Sequence, residues 1–248
     1  KLYYQLYPSG ALPPTLYGLP KVHKASVPLR PITSSTGTVM YSVAKHLAGI
    51  IGPLVGKTKH HVKNVQEFVN KIKDERLDEG WTITSFDVVA LFTCIPIDGA
   101  LEVVREYLEK DTELHTRTNM SVDQICELVE ICLSCTYFLC DGKYYKQKHG
   151  CAMGSPLSPI VVNLYMERFE QRALGSFQGI PPVIWIRYVD VTFVKILISE
   201  LQAFFDHINS VDPNVKFTQE PMKDKKLPFL DAGVTLKDDG SLGVTVYR

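Results

Sequence analysis

Arg187-Tyr188-Val189-Asp190-Val191, set inside the apolar run Val183 to Val194, decides how this chain is read. Two short β-branched and aromatic segments, Val183–Arg187 and Thr192–Ile196, flank it and predict a hairpin with a carboxylate at its tip. Stationing an acid at the end of a half-buried hairpin is costly unless it holds something, and a metal ion is the usual answer. A second predicted strand, Trp81–Phe86, ends the same way on Asp87, with Val88-Val89-Ala90-Leu91-Phe92 following. Two strands each delivering one Asp suit a shared cation, although either acid could also serve only to end its strand.

The 248 residues suffice for one large domain or two small ones. Apolar residues make up 45% and charged residues 22%, which fits a globular protein, and no run of about 18 apolar residues predicts a membrane span. The chain opens on Lys1 without a signal-peptide pattern and is read as part of a longer protein in an intracellular compartment. The zero net charge hides a division. Residues 1–73 hold ten Lys/Arg against Glu67 alone, a net +9, and the remainder is therefore −9. A basic lobe facing a polyanion and an acidic lobe holding cations would produce this pattern, as would a solvated basic surface. Of six cysteines, Cys132 and Cys135 form a lone CxxC, and Cys126 and Cys132 fall within an apolar helical pattern. They read as structural thiols, with no need for disulfides.

The basic start is rich in Pro and Gly, and its Pro28-Leu-Arg-Pro-Ile32 favours extended backbone. Helices are predicted over Ser42–Leu54, over Val62–Lys73, and after Asp98, which can cap the helix bearing Leu101, Val104 and Leu108. Ser121 and Gln124 have the spacing of a capping box for a helix ending near Ser134. Asp141-Gly142 predicts a hairpin between Tyr137–Cys140 and Lys143–Gln147. Ser155-Pro156 predicts the start of a helix reaching about Arg172. Leu201, Phe204, Phe205 and Ile208 mark one more amphipathic helix, and strands over Val215–Glu220 and Leu230–Leu236 plus a hairpin about Asp239-Gly240 close the chain. Helices inserted between antiparallel strands make an α+β fold.

The series LPKVHK…PLRPI, SFDVVALF, KQKHGCAMGSPLSP, RYVDV and KFTQE…LPFLD resembles the ordered motifs of reverse transcriptases over essentially the whole chain. The wording is most similar to that of Penelope-like retroelements, with group II intron enzymes and telomerase as more distant relatives. The resemblance implies right-hand polymerase fingers (1–80 and about 140–165) and palm (about 81–139 and 166–248). It also implies an antiparallel palm sheet with helices packed on one face, and a thumb absent or incomplete. The implied activity is RNA-directed DNA polymerisation with Mg2+, or Mn2+ in its place, on an RNA or DNA template with a primer and dNTP. A nuclear setting follows from the family, and no membrane is involved.

Position by position, the resemblance makes Asp87 and Asp190 the catalytic, metal-binding acids, with the Val88 backbone carbonyl adding a ligand. Lys21, Arg30, Phe92, Gln147 and Gly154 would contact the nucleotide. A guanidinium at Arg30 can grip two phosphate oxygens. Phe92 would exclude a 2′-hydroxyl, and as an aromatic after a strand it could equally be packed core. Lys21 could equally be a solvated loop charge. Lys24, Ser155, Pro156, Leu227 and Phe229 would touch nucleic acid, though packing explains Leu227 and Phe229 equally well. One of Lys223, Lys225 and Lys226 would donate a proton. The chain departs from the pattern at Val191, where the family has a second Asp. An isopropyl group cannot ligate a cation, so reduced or lost activity is expected. A non-catalytic nucleic-acid-binding remnant is the alternative.

Overall fold

The computed structural model describes residues 6–7, 12–22, 27 and 29–246. In chain order the main elements begin with β1 (Thr15–Pro20), β2 (Leu29–Ser34), α1 (Tyr41–Ile51), α2 (Val65–Ile72) and β3 (Trp81–Val88). They continue with α3 (Ile97–Glu109), α4 (Val122–Ser134), β4 (Tyr137–Cys140), β5 (Lys143–Lys146) and α5 (Ser158–Ser176). The last third holds β6 (Ile184–Tyr188), β7 (Val191–Leu197), α6 (Ile198–Ile208), β8 (Phe217–Pro221), β9 (Lys226–Phe229), β10 (Ala232–Leu236) and β11 (Leu242–Val246). The chain forms two compact units, residues 1–55 with 92–166 and residues 56–91 with 167–248.

The first unit carries a four-stranded sheet in the order β2-β1-β4-β5. β1 runs antiparallel to β2 with Thr15 opposite Ser34, and meets β4 in parallel at Leu139. The β4–β5 turn places Asp141 and Gly142 at φ 48° and 71°, the paired positive values that a two-residue type I′ hairpin requires. α4 begins with the expected capping box, in which Ser121 accepts from the Gln124 amide and Gln124 from the Ser121 amide. It packs against α1 and α3. Cys126 and Cys132 are buried among them, as structural thiols should be, and burial pushes the Cys132 thiol up to about 11.

The second unit is built on an antiparallel sheet ordered β6-β7-β3-β8 and a smaller sheet ordered β11-β10-β9. Alternation along the strands gives two apolar faces. Phe86 and Trp185 point to the face covered by α5 and α6, where Phe169, Phe204 and Phe217 join them, with Trp185 and Phe204 rings 5.7 Å apart. Ile83, Ile186 and Phe193 point to the other face. There they meet Phe68 and Ile72 of α2 and Leu227, Phe229, Val234 and Leu242 of the small sheet. Helices therefore cover both faces of the larger sheet, α2 sharing one of them with the small sheet.

Four local expectations are corrected. Asp98 lies within the first turn of α3, and Pro96 is the cap. α2 starts at Val65, because Asn64 accepts from the Glu67 amide at 2.9 Å and sets the boundary there. α5 starts at Ser158 and not at Ser155. Residues 153–155 are instead held against β2, where Thr33 N–H donates to the Met153 carbonyl at 2.8 Å and Ser35 Oγ to the Gly154 carbonyl at 2.7 Å. The Leu230–Leu236 strand is only Ala232–Leu236, and β9 precedes it as a separate strand.

Candidate active site

β3 is flanked by β7 and β8 and is the hydrogen-bonded centre of its sheet, so the residue at its end is placed by strands on both sides. Asp87 lies there, opposite Val191 of β7 and Thr218 of β8. The next amide, that of Val88, donates to the carbonyl of Asp190 at 2.9 Å. The two acids, 103 positions apart in sequence, thus occupy neighbouring backbone positions at one end of one sheet. Asp87 is exposed and Asp190 half-buried. Val88 itself is buried, at 3% exposure.

The hairpin between β6 and β7 has a two-residue loop, Val189-Asp190, because Tyr188 pairs with Val191. Val189 has φ 54°. A β-branched residue in that region is strained by about 1–3 kcal/mol, and such strain persists only where the surroundings impose it. Here the surroundings include a buried ion pair. Arg187 is fully buried (0% exposed) and Glu170 of α5 nearly so (1%). Arg187 Nε donates to Glu170 Oε1 at 2.7 Å, Trp185 Nε1 donates to the same oxygen at 2.9 Å, and Arg187 Nη1 donates to the Val189 carbonyl at 2.9 Å. Removing one partner of such a pair costs about 3–5 kcal/mol by leaving a buried charge uncompensated. One turn earlier, Glu167 Oε1 accepts from the Gly56 amide at 2.7 Å. Sequence reasoning missed these groups. The available signal was a lone Arg inside the apolar run Ile184–Val189, with two acids three apart in an apolar helix.

Val191 occupies the position where a further carboxylate was expected. Tyr188, Val191 and Asp87 align on one face of the sheet, and the side chains of Tyr188 and Val191 pack against the apolar cluster around Phe68 and Phe193. Among the described residues no group of three or more His, Cys, Asp or Glu side chains could hold a metal ion. Two carboxylates and a backbone carbonyl nevertheless suit Mg2+, which keeps several waters and is commonly held by one or two carboxylates plus substrate phosphates.

Of the other site expectations, those in the first unit are described within it. Arg30 is exposed on β2 opposite Leu19, and Lys21 follows β1 half-buried. Lys24 lies outside the described residues. Phe92 is half-buried in the short helix Leu91–Cys94, and its carbonyl accepts from the Cys151 amide at 2.6 Å. The Gln147 side chain donates to the His149 carbonyl at 2.7 Å, which holds it to its own loop. Ser155 and Pro156 are half-buried, and Ser155 lines an apolar cavity of about 380 Å³ with Pro14, Thr33, Ala152, Tyr137 and Tyr144. Gly154 has φ 114°, and a Cβ there would collide with the Thr33 carbonyl oxygen, so its lack of a side chain serves the chain's own packing. In the second unit Leu227 (0% exposed) and Phe229 (2%) are core residues. Their assignment to nucleic acid is corrected, because alternation along β9 turns both inward.

No family model and no curated protein matches this sequence. Solved structures do match the fold. Apo telomerase from Candida tropicalis superposes with a TM-score of 0.68 at 14% identity, over 96% of this chain and 48% of that one. The same telomerase in complex with a TWJ fragment of telomeric RNA gives 0.66 at 13%, over 94% and 44%. The BmCPV RNA-dependent RNA polymerase at its quiescent state gives 0.63 at 9%, over 97% and 23%. The fold is polymerase-like. This chain spans about half the length of the telomerase chains it matches. Among the described residues no helix is long and apolar enough to cross a membrane.

Proposed function

We propose that this chain is an RNA-directed DNA polymerase domain of a retroelement, similar to the Penelope-like kind, whose chemistry is weakened by Val191. The observation that carries the reading is the meeting of Asp87 and Asp190 at one end of the β6-β7-β3-β8 sheet of a polymerase-like fold. In this reading Asp87, Asp190 and the Val88 carbonyl hold Mg2+. A pair of such ions, when bound, activates an attacking hydroxyl and stabilises the leaving oxygen of an in-line displacement at phosphorus. The residues of the chain supply the positioning on which that chemistry depends. The exposed guanidinium of Arg30 grips the triphosphate of a dNTP, with Lys21 supplying a second positive charge. The half-exposed ring of Phe92 selects against the 2′-hydroxyl. Gln147 and Gly154 adjoin the nucleotide, and Lys24, Ser155 and Pro156 the primer–template. The basic segment 1–73, net +9, attracts the phosphate backbone in a salt-dependent way, and the working compartment is the nucleus.

Incorporation of a labelled deoxynucleotide onto a primer annealed to RNA tests the reading. Slow, Mg2+-dependent extension that disappears in Asp87→Asn supports it. No extension by either the native chain or Val191→Asp overturns it.

A further inference from the structure

We infer that Arg187, anchored by Glu170, is a positioning residue that holds the strained Val189-Asp190 turn and thereby aims the Asp190 carboxylate. This rests on the proposed metal-binding role of Asp190, but its structural half can be tested without it.

A guanidinium with no exposed surface and a carboxylate at 1% exposure are poor stabilisers compared with apolar residues of the same volume. Stability alone therefore does not account for placing them in an apolar face beside Trp185. What the pair supplies is direction. Glu170 Oε1 takes hydrogen bonds from Arg187 Nε and Trp185 Nε1, which fixes the plane of the guanidinium. The fork then presents Nη1 to the Val189 carbonyl at 2.9 Å. That carbonyl belongs to the peptide joining Val189 to Asp190, so fixing it fixes the first half of the turn.

The turn needs such a hold. Its first loop residue sits at φ 54°, where hairpins of this kind favour glycine, and Val gives the turn no intrinsic preference for that conformation. The strand carrying Arg187 is itself fixed from outside. Arg187 N–H donates to the His60 carbonyl at 2.7 Å, Val62 N–H donates to the Arg187 carbonyl at 3.1 Å, and His60 Nδ1 lies 2.9 Å from the Trp185 carbonyl. Beyond the turn, the Asp190 carbonyl accepts from the Val88 amide, which ties the same peptide region to the strand bearing Asp87. A continuous set of polar contacts thus runs from α5 through Arg187 and the turn to the β3 terminus.

Two variants separate direction from bulk stability. In Arg187→Lys one ammonium cannot reproduce the fork that serves both Glu170 and the Val189 carbonyl. In Arg187→Met with Glu170→Leu the pair is replaced by apolar side chains of similar size. Amide hydrogen exchange is read at Val88, together with Mn2+ binding by electron paramagnetic resonance. Both variants should unfold cooperatively and keep their exchange rates in the middle of β3 and β7, while Val88 exchanges at least about tenfold faster. Adding Val189→Gly to Arg187→Lys should return Val88 to the native rate, because glycine holds a positive φ without support. An unchanged Val88 rate in both variants, or no restoration by Val189→Gly, overturns the proposal. So does loss of cooperative folding in both, since the pair would then hold up the fold at large. Mn2+ should bind the native chain several-fold more tightly than the variants. Absence of Mn2+ binding to the native chain and to Val191→Asp would instead overturn the metal-site reading, leaving the exchange result to decide the role of Arg187.

Discussion

Asp87 and Val191 stand directly opposite each other across the β3–β7 pair, on the same face of the sheet. A carboxylate at position 191 would therefore join the two existing acids without any change of backbone. The native isopropyl group instead extends the apolar cluster toward the site.

Val191→Asp should raise the primer-extension rate at saturating Mg2+ by at least about tenfold, which corresponds to about 1.4 kcal/mol off the barrier. Without Mg2+ it should cost about 1 kcal/mol of stability, because like charges directly opposite on a sheet repel. Added Mg2+ should then raise the melting temperature of the variant more than that of the native chain, since a ligand that binds only the folded state stabilises it. Equal rates for the two proteins would refute the idea that Val191 limits the chemistry.

Glycine substitutions should divide by what surrounds each position. At Gly154 and at Gly150 a Cβ would collide with backbone, that of Thr33 in one case and of Phe92 and Thr93 in the other. Alanine at either should cost about 3 kcal/mol or more in urea unfolding. Gly142 also has a positive φ, 71°, but nothing lies within 4 Å of its added Cβ, so alanine there should cost only about 1 kcal/mol.

Thiol reactivity should follow burial. Burial pushes the Cys132 thiol up to about 11 and the Cys151 thiol up to about 12, with Cys135 and Cys94 respectively adding to the rise. Iodoacetamide at about pH 8 should label the exposed Cys135 and spare Cys132 and Cys151 until the protein is unfolded, as mass spectrometry would show.

His61 should make stability pH-dependent. Burial holds its imidazole below the usual 6.5, helped by Arg187 and Lys71 and opposed by Glu67 and Glu170. The folded state therefore binds this proton less readily than the unfolded chain. Its contribution is fully present above 6.5 and is lost as pH falls through the lowered folded value. The urea midpoint should fall on acidification from 6.5 down to that lowered value, and His61→Gln should flatten this part of the profile.

Much of the architecture could be read from local chemistry. The Asp141-Gly142 turn and the Ser121–Gln124 capping box lie where their residues predict, because both are decided within four residues. The position of Asp87 near a strand end and of Asp190 at a hairpin tip was legible from the apolar segments beside them. What escaped was decided at a distance. Ser155-Pro156 carries a good helix-start signal, yet contacts from Thr33 and Ser35 hold that loop in a turn ahead of the helix. β9 contains Pro228, which argues against a strand, but it is the edge of its small sheet, where proline is tolerated. The Arg187–Glu170 pair joins residues 17 apart through the packing of α5 on the sheet, which no local pattern encodes.

The backbone of His60–Val62 lies along the outer side of β6 as a short parallel bridge, with hydrogen bonds in both directions to Arg187. β6 is the rim of its sheet, and its segment Ile184–Tyr188 combines high β-propensity with a single charge. A bare rim of that composition invites strand addition by another copy and then aggregation. Residues 60–62 act as a fixed guard rail against it, so loosening them should first appear as clumping in concentrated solution.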